Sequence, residues 1–84
     1  MDYSKLLDLL NSEYEWPAKY QFKFVGNDSH REDLVEAVGE SPAKERPSSS
    51  GKYISYTFHV EIAESEEVIS IYQKVAKISG IISL

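Results

Sequence analysis

Lys44, Arg46 and Lys52 bracket the run Ser48-Ser49-Ser50-Gly51 in a chain whose formal net charge is -5. Cations, hydroxyls and a flexible glycine at this spacing can cradle an anion or a carboxylate, because turn N–H groups and side-chain donors converge on one point. Glu45 offsets one of the three positive charges. The segment is not a Walker-type phosphate loop. That pattern needs a glycine five residues before Gly51, where Arg46 stands, and Ser or Thr after Lys52, where Tyr53 stands. The competing reading is a solvated turn that leads the chain into a strand, since loops are polar for backbone reasons alone.

A second constellation lies just downstream. Tyr53, Ser55, Thr57, His59 and Glu61 alternate with Ile54, Tyr56, Phe58, Val60 and Ile62. Residues two apart on a strand point the same way, so the polar set shares one face. His59 and Glu61 are then neighbours, which suits metal ligation, but two ligands do not make a site. His30 has no sequence reason to join them. No metal or other cofactor is expected. Nucleophilic catalysis finds no support, because no G-x-S-x-G elbow occurs among the serines. Glu64, Glu66 and Glu67 fit a helix start better than an acid–base pair. A chain this short has little room for an enclosed cleft, so it reads as not an enzyme.

Composition sets the frame. The 84 residues are 42% hydrophobic and 27% charged, an ordinary globular balance far from disorder. That length predicts one domain over 1–84, with an N-terminal helix and connector (1–15) on a core spanning 18–84. With no cysteine, disulfides, thiolate zinc sites and thiol catalysis are excluded. The acidic balance argues against nucleic acid as the main partner, since duplex binding needs phosphate-neutralising Lys and Arg. The N-terminus lacks a basic stretch followed by a long apolar run, and nothing approaches the roughly 18 apolar residues that span a bilayer. A cytoplasmic protein with no membrane partner is expected.

The elements that must position these residues follow from periodicity. Leu6, Leu7, Leu9 and Leu10 form an apolar stripe from Tyr3 to about Ser12, with Asp2, Lys5 and Asp8 opposite, which predicts a short amphipathic helix. Pro17 ends any continuation. Tyr14 and Trp16, in the connector, are placed to clasp that helix to the sheet, the alternative being an exposed hot spot. Tyr20, Phe22 and Phe24 alternate with Lys19, Gln21 and Lys23 as a half-buried strand. Ser29 and Glu32 have capping-box spacing, and the helix they open turns Leu34, Val35 and Val38 inward and stops at Gly39. A short strand is placed near Ala43 to Ser49, at a sheet edge because Pro47 cannot donate to a ladder. The clearest strand is Tyr53 to Ile62. A second core helix, from about Glu64 to Lys77, turns Val68, Ile71, Tyr72, Val75 and Ile78 inward. After Gly80, Ile81 to Leu84 forms a last strand, with Ile82 and Leu84 on one face and Ile81 and Ser83 on the other.

The order βαββαβ predicts an α+β, ferredoxin-like fold: a four-stranded antiparallel sheet with two helices on one face, plus an extra N-terminal helix. The second sheet face is open unless that extra helix or a partner covers it. Lys19, Gln21, Lys23, Glu61 and Ser83 are assigned to it, with Tyr53, Ser55, Thr57, His59 and Ile81 as the candidate partner surface. RNA-recognition modules stack bases on aromatics of such a face, but here only Tyr53 offers a ring and Glu61 opposes phosphate.

The block PSSSGKYISYTFHVEI (Pro47 to Ile62), followed by EEVISIYQKVAKISGIISL, resembles the YbeD-like family of small bacterial proteins of unknown function. So do the Leu-rich first helix, the Trp16-Pro17 pair, the aromatic strand from Tyr20 to Gly26 and the Asp33-Leu34-Val35 helix. Relative to longer members, the region between Val38 and Pro47 is shortened, which cuts back the first core helix and the second strand. The resemblance implies a fold similar to ACT-type regulatory domains and a regulatory label sometimes linked with lipoate. Two expectations follow. The first is a non-catalytic regulatory or adaptor domain that binds another protein, or itself, through the open face or the edge strand Ile81 to Leu84. The second is an ACT-like sensor of a small carboxylate, bound at Lys44, Arg46, Ser48, Ser49, Ser50, Gly51 and Lys52.

Overall fold

A computed structural model describes residues 3–84; Asp2, expected on the polar side of the first helix, lies outside the described residues. Helix α1 spans Ser4–Glu13, strand β1 Ala18–Gly26, and helix α2 Arg31–Val38 after a 3-10 turn at Asp28–His30. Strand β2 spans Lys44–Pro47, β3 Ile54–Ile62, helix α3 Ser65–Ala76 and strand β4 Ile82–Ser83. The four strands form one antiparallel sheet in the order β2-β3-β1-β4. That order and the intervening helices are the α+β, ferredoxin-like arrangement. The Pro-bearing strand β2 takes an edge, where a missing N–H breaks no ladder bond.

The long central pair explains the layering. In the β1–β3 register Tyr20 faces Val60, Phe22 faces Phe58 and Phe24 faces Tyr56. Phe22, Phe24, Tyr56, Phe58 and Ile62 are fully buried, beneath Leu34 of α2 and Val68 of α3. Each such side chain contributes about 1.5–3 kcal/mol relative to exposure. The rings of Tyr20 and Phe22 lie 4.8 Å apart and those of Phe22 and Tyr72 5.2 Å apart, both edge-on, so strand β1 and helix α3 interlock through aromatics.

The expected Ser29–Glu32 capping box does not form. Asn27 caps instead: its Oδ1 accepts the Ser29 N–H at 3.0 Å, and its own N–H donates to His30 Nδ1 at 3.0 Å. Asn competes as well as Ser at a cap, and starting early inserts the 3-10 turn and shortens α2 to eight residues. With Nδ1 accepting, the imidazole proton sits on Nε2 and is donated to the Ser79 carbonyl oxygen, 3.0 Å away. His30 thus ties the start of α2 to the turn before β4. Helix α2 ends as expected at Gly39, whose φ of 93° is the left-handed conformation that closes a helix.

Helix α1 packs against α3, not over the second sheet face. Leu10 is buried, Leu6 and Trp16 pack against the core, and Leu9 stays 56% exposed, so only part of the Leu stripe is used. Tyr14 stacks on Trp16 at 5.0 Å and tilts against Tyr20 of β1 at 5.7 Å. The connector therefore clasps α1 to both the sheet and α3.

The last strand is shifted by one residue from expectation. Val25 pairs with Ile82 and Phe24 with Ser83. Because Phe24 points to the core, Ser83 lies on the helix side of the sheet and Ile82 on the open side. Ile81, assigned to the open face, packs instead against the core. Its neighbours explain this: Gly26 has no side chain, and the space above it is shared by Ile81 and the His30 ring. No helix among the described residues is long and apolar enough to cross a membrane.

Candidate functional site

Strands β1, β3 and β2 turn half of their alternation away from the helices. Lys19 pairs with Glu61, Gln21 with His59, Lys23 with Thr57 and Val25 with Ser55. Thr57 in turn pairs with Lys44, and Ser55 with Arg46. Paired residues share a face, so Lys23, Thr57 and Lys44 form one row across the sheet. Arg46, Ser55, Val25 and Ile82 form the next. Lys19, Gln21, Lys23, Lys44, Arg46 and His59 are exposed, while Ser55 and Thr57 are half-buried between them.

Sheet geometry fixes the spacing. Lys23 and Lys44, two strands apart, have backbones about 10 Å from one another, and Lys44 and Arg46 are about 7 Å apart along β2. Three cations thus surround two hydroxyls. They line an open depression of about 440 Å³ with Gln21, Ala43 and His59. A second one of about 280 Å³ adjoins it, lined by Val25, Arg46, Pro47, Ser48, Tyr53 and Ser55. Glu61 is the one acidic side chain that the strands put on this face. Glu45, between Lys44 and Arg46 in sequence, points to the helix side. There both of its carboxylate oxygens accept from Arg31 Nε, at 3.1 and 3.2 Å. The pair is exposed and worth at most about 1 kcal/mol, but it shows where the alternation of β2 sends its acid.

The Ser-rich segment forms the turn between β2 and β3. Ser48 N–H donates to the Tyr53 carbonyl at 2.8 Å and Gly51 N–H to the Ser48 carbonyl at 2.9 Å, which closes a hairpin between β2 and β3. The Ser48 hydroxyl accepts the Tyr53 N–H at 3.2 Å, and the Ser50 hydroxyl the Lys52 N–H at 3.3 Å. Those hydroxyls hold the turn, and Gly51 supplies its left-handed residue at φ 73°. Ser49 is exposed at the tip, and Lys52 reaches back over the Tyr53 ring at 5.5 Å. Lys44 and Arg46 are thus joined to Lys23, Ser55 and Thr57, with Ser48 beside Arg46 in the second depression, while Ser49, Ser50, Gly51 and Lys52 form the turn beyond.

Tyr53, Ser55, Thr57 and His59 do share the open face; Ile81 does not, and Ile82, Leu84 and Val25 take its place as the apolar members. The period-two run Lys44-Glu45-Arg46 carried the signal that Lys44 and Arg46 share a face. His59 Nε2 lies 3.3 Å from Gln21 Oε1, across the strand pair. His30 lies elsewhere, and among the described residues no group of three His, Cys, Asp or Glu side chains is placed to hold a metal. The phenols of Tyr56 and Tyr72 are both held above their ordinary range, chiefly by burial, and both belong to the core.

A family model described as "Protein of unknown function (DUF493)" matches residues 11–84. A UPF0250 protein of Haemophilus influenzae (strain PittEE) is 32% identical over 87 residues, covering 95% of this chain and 90% of the relative. A UPF0250 protein of Haemophilus ducreyi is 34% identical over 87 residues, covering 93% and 84%. One from Pasteurella multocida is 32% identical over 90 residues, covering 96% of each. No solved structure matches the chain.

Proposed function

The chain belongs to the DUF493 family of proteins of unknown function, the YbeD-like family its sequence resembles, and from that premise we propose that it is a small, non-catalytic regulatory or adaptor domain acting through protein–protein contacts on its open sheet face. One observation carries the reading: α1 packs on α3, which leaves the polar face of the sheet uncovered. The depressions on that face are open, whereas small-molecule pockets enclose most of their ligand's surface. A broad, shallow, polar face suits a macromolecular partner.

The test is affinity capture with the unaltered chain and with Thr57→Trp, which places a bulky ring mid-face; circular dichroism checks that the variant folds. A protein recovered by the first and lost by the second is expected. Equal recovery, or none, overturns the reading. The small-carboxylate alternative is favoured by the three cations about the 440 Å³ depression. Thermal shift against amino acids, lipoate and other carboxylates separates the two, and a shift abolished by Lys44→Ala and Arg46→Ala would select the sensor.

A further inference from the structure

We propose that the open sheet face receives an acidic, partly apolar segment of a partner protein, its carboxylates seated among Lys23, Lys44 and Arg46 and its apolar side chains over Val25 and Ile82. The inference rests on the protein-contact reading above and adds the partner's chemistry.

Charge segregation is the first ground. The chain has 14 acidic and 9 basic residues. Yet the strands place Lys19, Lys23, Lys44 and Arg46 on one face against Glu61 alone. Among the described residues, none of Lys23, Lys44 and Arg46 is paired with a carboxylate; the ion pair that β2 does make, Arg31–Glu45, is on the helix side. The face is a cationic surface with its counter-charge missing, and complementary charge is what steers a partner and fixes its register.

The second ground is the apolar margin. Leu84 N–H donates to the Lys23 carbonyl at 3.0 Å, which sets Leu84 beside Lys23, and Ile82 lies beside Val25. Ile82 is 58% and Leu84 68% exposed. Cations and aliphatic side chains thus lie in adjoining rows, a pattern matched by a segment in which acids and aliphatics are interleaved. Nucleic acid fits less well, because single strands need a series of stacking platforms and this face offers only the Tyr53 ring and the His59 imidazole. A second copy also fits less well. The face would repel itself, and a contact between it and the acidic helices of another copy would be head-to-tail and need not close.

The experiment puts photo-reactive benzoylphenylalanine in place of Thr57, mid-face, or Gln73, on the exposed side of α3, in cells that express the protein, and maps each adduct by mass spectrometry. The mapped segment is then synthesised and its binding measured. The expected result is an adduct from position 57, absent from position 73, on a segment of another protein in which Glu or Asp alternate with aliphatics. Its affinity should fall at least tenfold in Lys44→Glu/Arg46→Glu, weaken with salt, and be unchanged in Lys74→Glu. An adduct with nucleic acid or with a second copy overturns the inference, as does unchanged affinity in the charge-reversed chain. A protein adduct only from position 73, or on a neutral or basic segment, sinks the inference while leaving a protein-contact role standing. No adduct from either position removes both.

Discussion

Trp16 donates its indole N–H to the Ser65 hydroxyl at 2.6 Å, and Ser65 passes its own proton on to Asn11 Oδ1 at 2.6 Å. Ser65 is 1% exposed and is the buried polar side chain of the core. One hydroxyl thereby joins the connector, helix α1 and the first turn of α3. This chain of bonds, with the Tyr14–Trp16 stack, holds α1 on the helical layer and so leaves the sheet face free.

Ser65→Ala should cost about 1–3 kcal/mol, because it strands both the indole N–H and the Asn11 amide in a partly buried place. Urea denaturation measures the loss. Amide exchange should quicken throughout α1 while β1 and β3 keep their protection. Unchanged protection in α1 would mean that the Leu stripe alone holds it.

The register of the last strand makes a paired prediction. Ile81→Ala removes a side chain packed on the core and should cost about 1–3 kcal/mol, less than a fully buried site because Ile81 is only half-buried. Ile82→Ala, on the exposed face, should stay within about 0.5 kcal/mol of the unaltered chain. The reverse order would mean that the strand slips by one residue.

That slip marks what the sequence could and could not carry. Long alternations were legible: Tyr20-Phe22-Phe24 and Ile54 to Ile62 specify their faces several times over, and the whole antiparallel sheet follows from them. In β4 only Ile82 and Ser83 pair, and Ile81, Ile82 and Leu84 are all aliphatic, so pattern alone leaves the face undetermined. The site was half legible for a related reason. Lys44, Arg46 and Ser48 are two apart and share a side, but the Ser48 and Ser50 hydroxyls each accept a backbone N–H of the hairpin turn. Lys23 joins the cluster from a strand distant in sequence. The Trp16–Ser65 bond spans 49 positions and has no local signature at all.

Gly26→Ala tests the packing under β4. A Cβ there would stand 2.6 Å from His30 Nδ1 and 2.7 Å from Ile81 Cδ1, distances at which something must move. The imidazole is held at both nitrogens, so it yields poorly. A cost of about 1–3 kcal/mol is expected from thermal melts. Because both neighbours share the strain, the Gly26→Ala/His30→Ala double variant should be less destabilised than the sum of its parts. Strict additivity would show that the clash is absent.

Alkaline pH provides the last prediction. Tyr72 Oη lies 3.2 Å from Tyr20 Oη, and burial first, then that hydrogen bond, raises the Tyr72 phenol above its ordinary value. Burial also raises Tyr56, whose hydroxyl donates to the Asn27 carbonyl at 2.6 Å, with the nearby Glu45 and Asp28 carboxylates adding to the effect. In the unfolded chain both phenols lose their protons near pH 10. Above that pH the unfolded state binds fewer protons than the folded state, so stability must fall as pH rises. Below it, both states keep the proton and the full stability is present. Urea midpoints should accordingly be level through neutral pH and decline from about pH 10, with tyrosinate absorbance from these two rings appearing later in the titration than that of an exposed tyrosine. Tyr72→Phe should lower stability by about 1 kcal/mol at neutral pH, since Tyr20 loses its partner. It should also flatten the alkaline decline, because one of the two perturbed groups no longer titrates. An equally steep decline in Tyr72→Phe would assign the alkaline sensitivity to other residues.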